Sequence, residues 1–141
     1  MPKTLPKRSQ VKAADTWDLS SLFADDDAWE TAFKKFEKLA AGYEKFRGRL
    51  ADDPKTLAAC LKFDDDVDRL ADNVGNYAYL KSAQDTADGA YQRMLGRFRN
   101  AASKAGQAAS YIRPEILSIP SAKLKKILAT NEISPLNLPF A

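Results

Sequence analysis

Large apolar side chains recur every three or four residues over three stretches of this 141-residue sequence, and no stretch alternates apolar with polar as a half-buried strand does. That period commits the chain to helices. Trp29, Phe33, Phe36, Ala40, Tyr43 and Phe46 form one aromatic-rich face, with Lys34, Lys35, Glu37 and Lys38 off it. Asp27, with Glu30 three residues on, predicts the start of this first helix, because the two side chains can reciprocally cap free backbone N–H groups at that spacing.

Asp53-Pro54 predicts a second start. Asp53 caps, and Pro54 takes the first helical position, where its missing N–H costs nothing. Leu57, Leu61, Val67, Leu70, Val74 and Tyr77 then supply a buried stripe to about Leu80. A third helix is expected from Asp85-Thr86 through Tyr91, Leu95, Phe98, Ala102, Ala105, Ala109 and Ile112, ending before Pro114, which disfavours helix at the residue preceding it. The short connection makes the second and third helices an antiparallel hairpin. Folding about residues 84 and 85 brings Asp72 towards Arg97 and Asp65 towards Lys104, and Ala102, Ala105, Gly106 and Ala109 permit a close helix approach. A short fourth helix is expected near Ala122 to Ala129, with Ser121 as its cap. The expected fold class is all-α: a long antiparallel helical hairpin plus an aromatic-faced first helix and a short fourth helix.

With 45% hydrophobic and 29% charged residues, the bulk of the chain can bury a core. Residues 1–14, with Pro2, Pro6 and four basic groups, read as a flexible basic tail; residues 15–130 as one helical lobe; residues 131–141 as an irregular tail. The net charge of +3 is unevenly spread. Residues 15–88 hold seventeen acids against ten basic groups, and from residue 89 there are eight basic groups against two acids. Such segments can pair with one another, so the overall sign is poor evidence for a nucleic-acid partner.

The composition excludes several chemistries. With no histidine, neither an H-E-x-x-H zinc site nor a Ser-His-Asp or Cys-His nucleophile can be built. Cys60, the single cysteine, lies beside Leu61 on the apolar side of its helix and reads as a buried inert thiol. Asp25-Asp26-Asp27 and Asp64-Asp65-Asp66 are consecutive, so their side chains splay about 100° apart and do not converge on one ion. The first triplet reads as helix capping and the second as a solvated face. The six glycines make no phosphate-binding turn. Arg93, Arg97, Arg99 and Lys104, interleaved with Tyr91 and Phe98, form the one candidate nucleic-acid surface, but the aromatics fit the buried stripe and the acidic helix can neutralise the arginines. No catalytic, cofactor-binding or metal-ligating residue is assigned. The expectation is no cofactor in this chain, no nucleic acid, no membrane and a cytoplasmic location.

One segment lies outside the helical pattern. Trp17, Leu19, Leu22 and Phe23 are four large apolar groups in a short non-periodic run, expected to tuck under later helices. Trp17-Asp18-Leu19-Ser20-Ser21-Leu22-Phe23, Trp29, the Leu50-to-Leu57 start, Tyr77-Ala78-Tyr79-Leu80 followed by Asp85, and Arg113-Pro114-Glu115-Ile116-Leu117-Ser118-Ile119-Pro120 occur in that order. In this series the chain resembles the N-terminal region of oligoendopeptidase F, a branch of the thimet-like zinc oligopeptidases, over roughly residues 15 to 130. The resemblance implies a mostly helical metallopeptidase that cleaves short peptides in an enclosed channel. Its zinc ligands and catalytic Glu would lie in a later catalytic domain, the partner of this lobe, with the lobe forming a channel wall that is not catalytic alone. The family continues into further helices, whereas residues 131–141 carry two prolines and no helical period. An interrupted frame and a shorter free-standing relative both fit that departure. The alternative function is an autonomous helical module that presents Trp17, Leu22 and Phe23 to a protein partner.

Overall fold

The computed structural model describes residues 6–130. Short 3-10 turns at Arg8–Gln10 and Ala13–Asp15 lead into the Trp17–Phe23 segment, which lies ahead of the first helix, α1 (Asp26–Ala40). The chain continues through a 3-10 stretch (Ala41–Phe46) into α2 (Pro54–Gln84), α3 (Gly89–Ala109), α4 (Ile112–Ser118) and α5 (Ser121–Leu128), with no strand among the described residues. The irregular tail expected at residues 131–141 lies outside them. The all-α class stands, with one short helix more than the sequence pattern predicts.

α2 and α3 form the expected antiparallel pair, and α1 packs across both. Its aromatic face, with Tyr43 of the 3-10 stretch that follows, is the centre of the core: Trp29, Phe33, Phe36 and Tyr43 are each at most 2% exposed. Burial of side chains this large contributes roughly 2–3 kcal/mol apiece, so α1 acts as the wedge that holds the hairpin. Trp29 stacks on Phe33 with ring centroids 5.0 Å apart, and its Nε1–H donates to the Val74 carbonyl of α2 at 2.8 Å. No buried side-chain polar atom among the described residues lacks a partner.

Several boundaries differ from expectation, each for a tertiary reason. The cap of α1 is Asp25, whose carboxylate accepts from the Ala28 N–H, and not Asp27. Asp26 is drawn instead to Tyr77 and Lys81, and Glu30 to Arg97. The aromatic face continues past Ala40, but as a 3-10 stretch in which the Phe63 ring lies where a side chain on Gly42 would stand, 2.9 Å from an added Cβ. Asp53 caps α2 as expected, accepting from the Thr56 N–H, and α2 runs on to Gln84 rather than Leu80. α3 starts later than Asp85, at Gly89, capped by Asp88.

At its far end α3 stops at Ala109, and Pro114 falls inside α4 instead of beyond a helix. It sits in the first turn there, where backbone N–H groups have no intrahelical acceptor, so proline is tolerated. The last helix appears where expected, but with Pro120 at the capping position and no side-chain cap. Neither Asp72–Arg97 nor Asp65–Lys104 forms: Arg97 reaches α1, and Asp65 pairs with Arg69 on its own helix. The tight crossing of α2 and α3 is at Gly75, where an added Cβ would stand 2.6 Å from the Phe98 ring, and not along Ala102–Ala109.

Candidate functional site

Two surface recesses and one clamp are the parts of the molecule that side-chain chemistry singles out. The first recess is a cleft of about 380 Å3 where the Trp17–Phe23 segment crosses the end of α2. Leu19, Leu22 and Phe23 pack partly buried against the core, Phe23 edge-on to Tyr77 at 5.5 Å. Trp17 does not join them: 71% exposed, it is anchored only through its carbonyl, which accepts from Gln84 Nε2 at 3.5 Å. Of the apolar cluster expected to tuck under the helices, Trp17 is therefore the member left outside.

The polar groups beneath this cleft are mutually satisfied. Tyr77 donates to Asp26 at 2.8 Å, Lys81 lies 3.2 Å from the same carboxylate, and the ammonium stands 4.8 Å from the Tyr91 ring centroid. Burial opposes the charge of Lys81, but its hydrogen bonds to Asp26 and Tyr91 outweigh that and raise its pKa. Burial likewise opposes the Asp26 carboxylate, and the Tyr77 and Lys81 contacts more than offset it. Tyr77 itself is pushed up to about 12 by burial and by the neighbouring carboxylate. This network ties the start of α1 to the end of α2 and leaves no group poised for proton transfer near neutral pH.

The second recess is a trough of about 180 Å3 between α2 and α3. Phe36, Tyr43, Val67 and Ala71 give it apolar lining, Ala102, Ala105, Gly106 and Ala109 form its α3 wall, and Asp64 and Asp68 stand on the α2 side. Tyr43 donates to Asp64 at 2.6 Å, and burial together with that carboxylate raises the phenol's pKa. Asp68 is also raised, first by burial and then by the carboxylates of Asp64, Asp72 and Asp65. The small residues expected to bring the helices together thus line an opening between them.

The clamp belongs to the Arg113-to-Pro120 segment of the family resemblance. Glu115 of α4 accepts from the backbone N–H groups of Leu50 at 2.8 Å and Gly48 at 2.9 Å, pinning the turn that leads into α2. Gly48 adopts φ +74°, a conformation that favours glycine. Nothing in the spacing of residues 48 and 115 signals this contact.

The remaining candidates resolve individually. Cys60 is wholly buried, and burial pushes its thiol up to about 11, which suits an inert core residue. Of the second aspartate triplet, Asp65 pairs with Arg69, Asp66 with Lys62 and Arg69, and Asp64 with Tyr43. No group of three His, Cys, Asp or Glu side chains among the described residues could hold a metal ion. Arg97 forks onto Glu30 at 2.7 and 2.8 Å and lies 4.5 Å from the Phe33 ring centroid, so it braces α3 against α1. No described helix is long and apolar enough to cross a membrane.

No family model matches the chain. Oligopeptidase PepF of Bacillus subtilis (strain 168) is 37% identical over 128 residues, which are 91% of this chain and 19% of that protein. Group B oligopeptidase PepB of Streptococcus agalactiae serotype III is 27% identical over 121 residues, covering 86% of this chain and 20% of the relative. The chromosomal oligoendopeptidase F of Lactococcus lactis subsp. cremoris is 29% identical over 111 residues, 78% and 18% respectively. The chain thus spans about a fifth of the length of the curated relatives it matches. A crystal structure of a "putative peptidase" from Chlamydophila abortus superposes with a TM-score of 0.83 over 94% of this chain and 22% of that one, at 18% identity, which shows the shared fold. The resemblance read from the ordered motifs is borne out.

Proposed function

From this chain's kinship with the oligoendopeptidase F family, we propose that it serves as the N-terminal helical lobe of a zinc metallopeptidase that hydrolyses short peptides, forming a wall of the substrate channel. The observation that carries this reading is coverage: similarity runs through 91% of this chain while reaching about a fifth of its relatives. The zinc of such an enzyme finds no ligand set here, since the chain has no histidine and its described carboxylates do not group in threes. Metal, water activation and bond cleavage belong on this reading to the larger, catalytic part, and this lobe contributes shape. The Arg97–Glu30 fork, the Trp29–Val74 bond and the Glu115 clamp make that shape rigid, as a wall that excludes folded proteins requires. A cytoplasmic location fits the single, buried thiol.

The test is reconstitution. The purified chain is mixed with the Bacillus subtilis relative from which the matching segment has been removed, and zinc-dependent cleavage of a quenched fluorescent peptide is followed. Restored, saturable cleavage is the expected result; failure of the two parts to associate overturns the reading.

A second reading, an autonomous binding module, is favoured by one feature: Trp17 is 71% exposed at the edge of an open cleft that could receive a partner's side chains. Leu22 and Phe23, packed against the core, do not take part. Under this reading Trp17→Ala abolishes partner binding without any peptidase fragment present.

A further inference from the structure

The trough between α2 and α3 has chemistry that the fold does not use. Asp64, Asp68 and Asp72 follow one another at four-residue steps along α2, so their carboxylates lie on one face and repel. None of the three is in an ion pair among the described residues, although the other acids of this helix, Asp65 and Asp66, both are. Asp64 is held by the Tyr43 hydroxyl, and Asp68 accepts no hydrogen bond from a described residue. Across the gap, Ala102, Ala105, Gly106 and Ala109 carry nothing longer than a methyl group, so no side chain of the opposite wall reaches in.

We propose that this trough is a subsite for one lysine or arginine side chain of a short peptide, its apolar stem lying against Phe36, Val67 and the small residues of α3 and its cation at Asp64 and Asp68. The inference rests on the reading of the chain as a lobe of a peptide-handling protein. Long basic side chains bury their methylenes along apolar surface while keeping the charged head at a polar rim, and this recess offers that combination. Its volume, about 180 Å3, is that of about six water molecules at roughly 30 Å3 each, which suits one side chain and not the row of holes that a docked helix needs. An acidic side chain would meet like charge, and an aliphatic one would leave both carboxylates without a counter-ion.

The test uses the full 141-residue chain, labelled with 15N and titrated with a capped pentapeptide carrying one lysine among alanines. A saturable shift of the Val67, Ala102, Ala105 and Gly106 amides is expected, weak in absolute terms because one side chain is engaged. The same peptide with norleucine, and the lysine peptide against Asp68→Asn, should each bind about tenfold more weakly or worse, the ratio that loss of one charge-assisted contact produces. Asp68 is exposed, so this variant keeps its fold, and an unchanged or raised thermal midpoint verifies that. No saturable shift, equal binding of norleucine, or shifts centred away from the trough would overturn the proposal. So would loss of lysine-peptide binding on adding the truncated Bacillus subtilis relative, which would make a segment of the larger protein the occupant. Peptide binding with failed reconstitution would keep the subsite and remove the lobe reading; reconstitution without peptide binding would do the reverse.

Discussion

Replacing Glu115 with alanine tests whether a long-range contact, and not local propensity, holds the entry to α2. The carboxylate accepts two backbone N–H groups, Leu50 at 2.8 Å and Gly48 at 2.9 Å, across 65 and 67 residues of sequence. Hydrogen bonds to a charged group contribute about 1.5–3 kcal/mol where solvent is excluded, and less where it is not. The Gly48 N–H lies at an exposed site and returns to water at little cost, about 0.5–1 kcal/mol. The Leu50 N–H is partly buried beside a side chain with no exposed surface, so it is left without an acceptor and the loss is about 1.5–2 kcal/mol.

The expected destabilisation of Glu115→Ala is therefore about 2–3 kcal/mol, which for a domain of this size lowers the thermal midpoint by about 10 °C. Glu115→Gln should recover only part of this, because its amide oxygen can serve one N–H while its NH2 group meets the other donor. Urea unfolding followed by circular dichroism gives the free energies, and amide exchange at Gly48 and Leu50 reports whether the loss is local. If Glu115→Ala stays within about 0.5 kcal/mol of the parent protein, with unchanged urea dependence, the clamp does not stabilise the fold.

Three further outcomes follow from single sites. Gly48→Ala should cost about 1–2 kcal/mol because its φ of +74° is left-handed, whereas Gly96→Ala, on open helical surface, should gain up to about 1 kcal/mol; a raised urea midpoint for the first or a lowered one for the second would contradict the corresponding assignment. Asp68→Asn should stabilise by about 0.4–1 kcal/mol at neutral pH, the sum of two like-charge neighbours four residues away. Because the folded carboxyl is raised above its ordinary 3.8, its ionised form costs stability above that raised value and nothing once both states are protonated, so the gain should vanish by about pH 3. Cys60, buried with its thiol pushed up to about 11, should resist a thiol-reactive dye in the folded protein and react at once in denaturant; fast native labelling would show that α2 opens locally.

Local signals and distant partners divide what the sequence reveals from what it hides. Asp53-Pro54 is read correctly because cap and first-turn proline form a self-contained unit. The aromatic face of α1 is legible for the same reason, since a 3.6-residue period needs no knowledge of the partner it packs on. The three aspartates ahead of α1 are ambiguous locally, and Tyr77, 51 residues beyond Asp26, settles which of them is free to cap. Arg97 pairs with Glu30 of α1 and not with Asp72 of α2, and that bidentate contact is favoured by the Phe33 ring, whose centroid lies 4.5 Å from the guanidinium. Pro114 misleads because the rule for the residue before proline is a modest bias, outweighed here by burial of Ile112 at the start of a new helix.

The small residues of α3 illustrate why composition alone does not set the distance between helices. Alanine and glycine remove an obstacle to approach without supplying a reason for it, so the spacing is decided by what else lies in the layer. At Gly75 the Phe98 ring fills the space that a side chain would occupy, and the pair closes tightly there. Beside Ala102 and Ala105, the lining is Phe36 and Tyr43, aromatic groups contributed by α1 and the stretch that follows it, and both are already packed on other partners. Closing α2 onto α3 at that level would drive Asp64 and Asp68 against an apolar wall with no counter-charge, which costs more than burying a few methyl groups returns. The opening is thus a consequence of placing carboxylates that have no counter-ion opposite alanines.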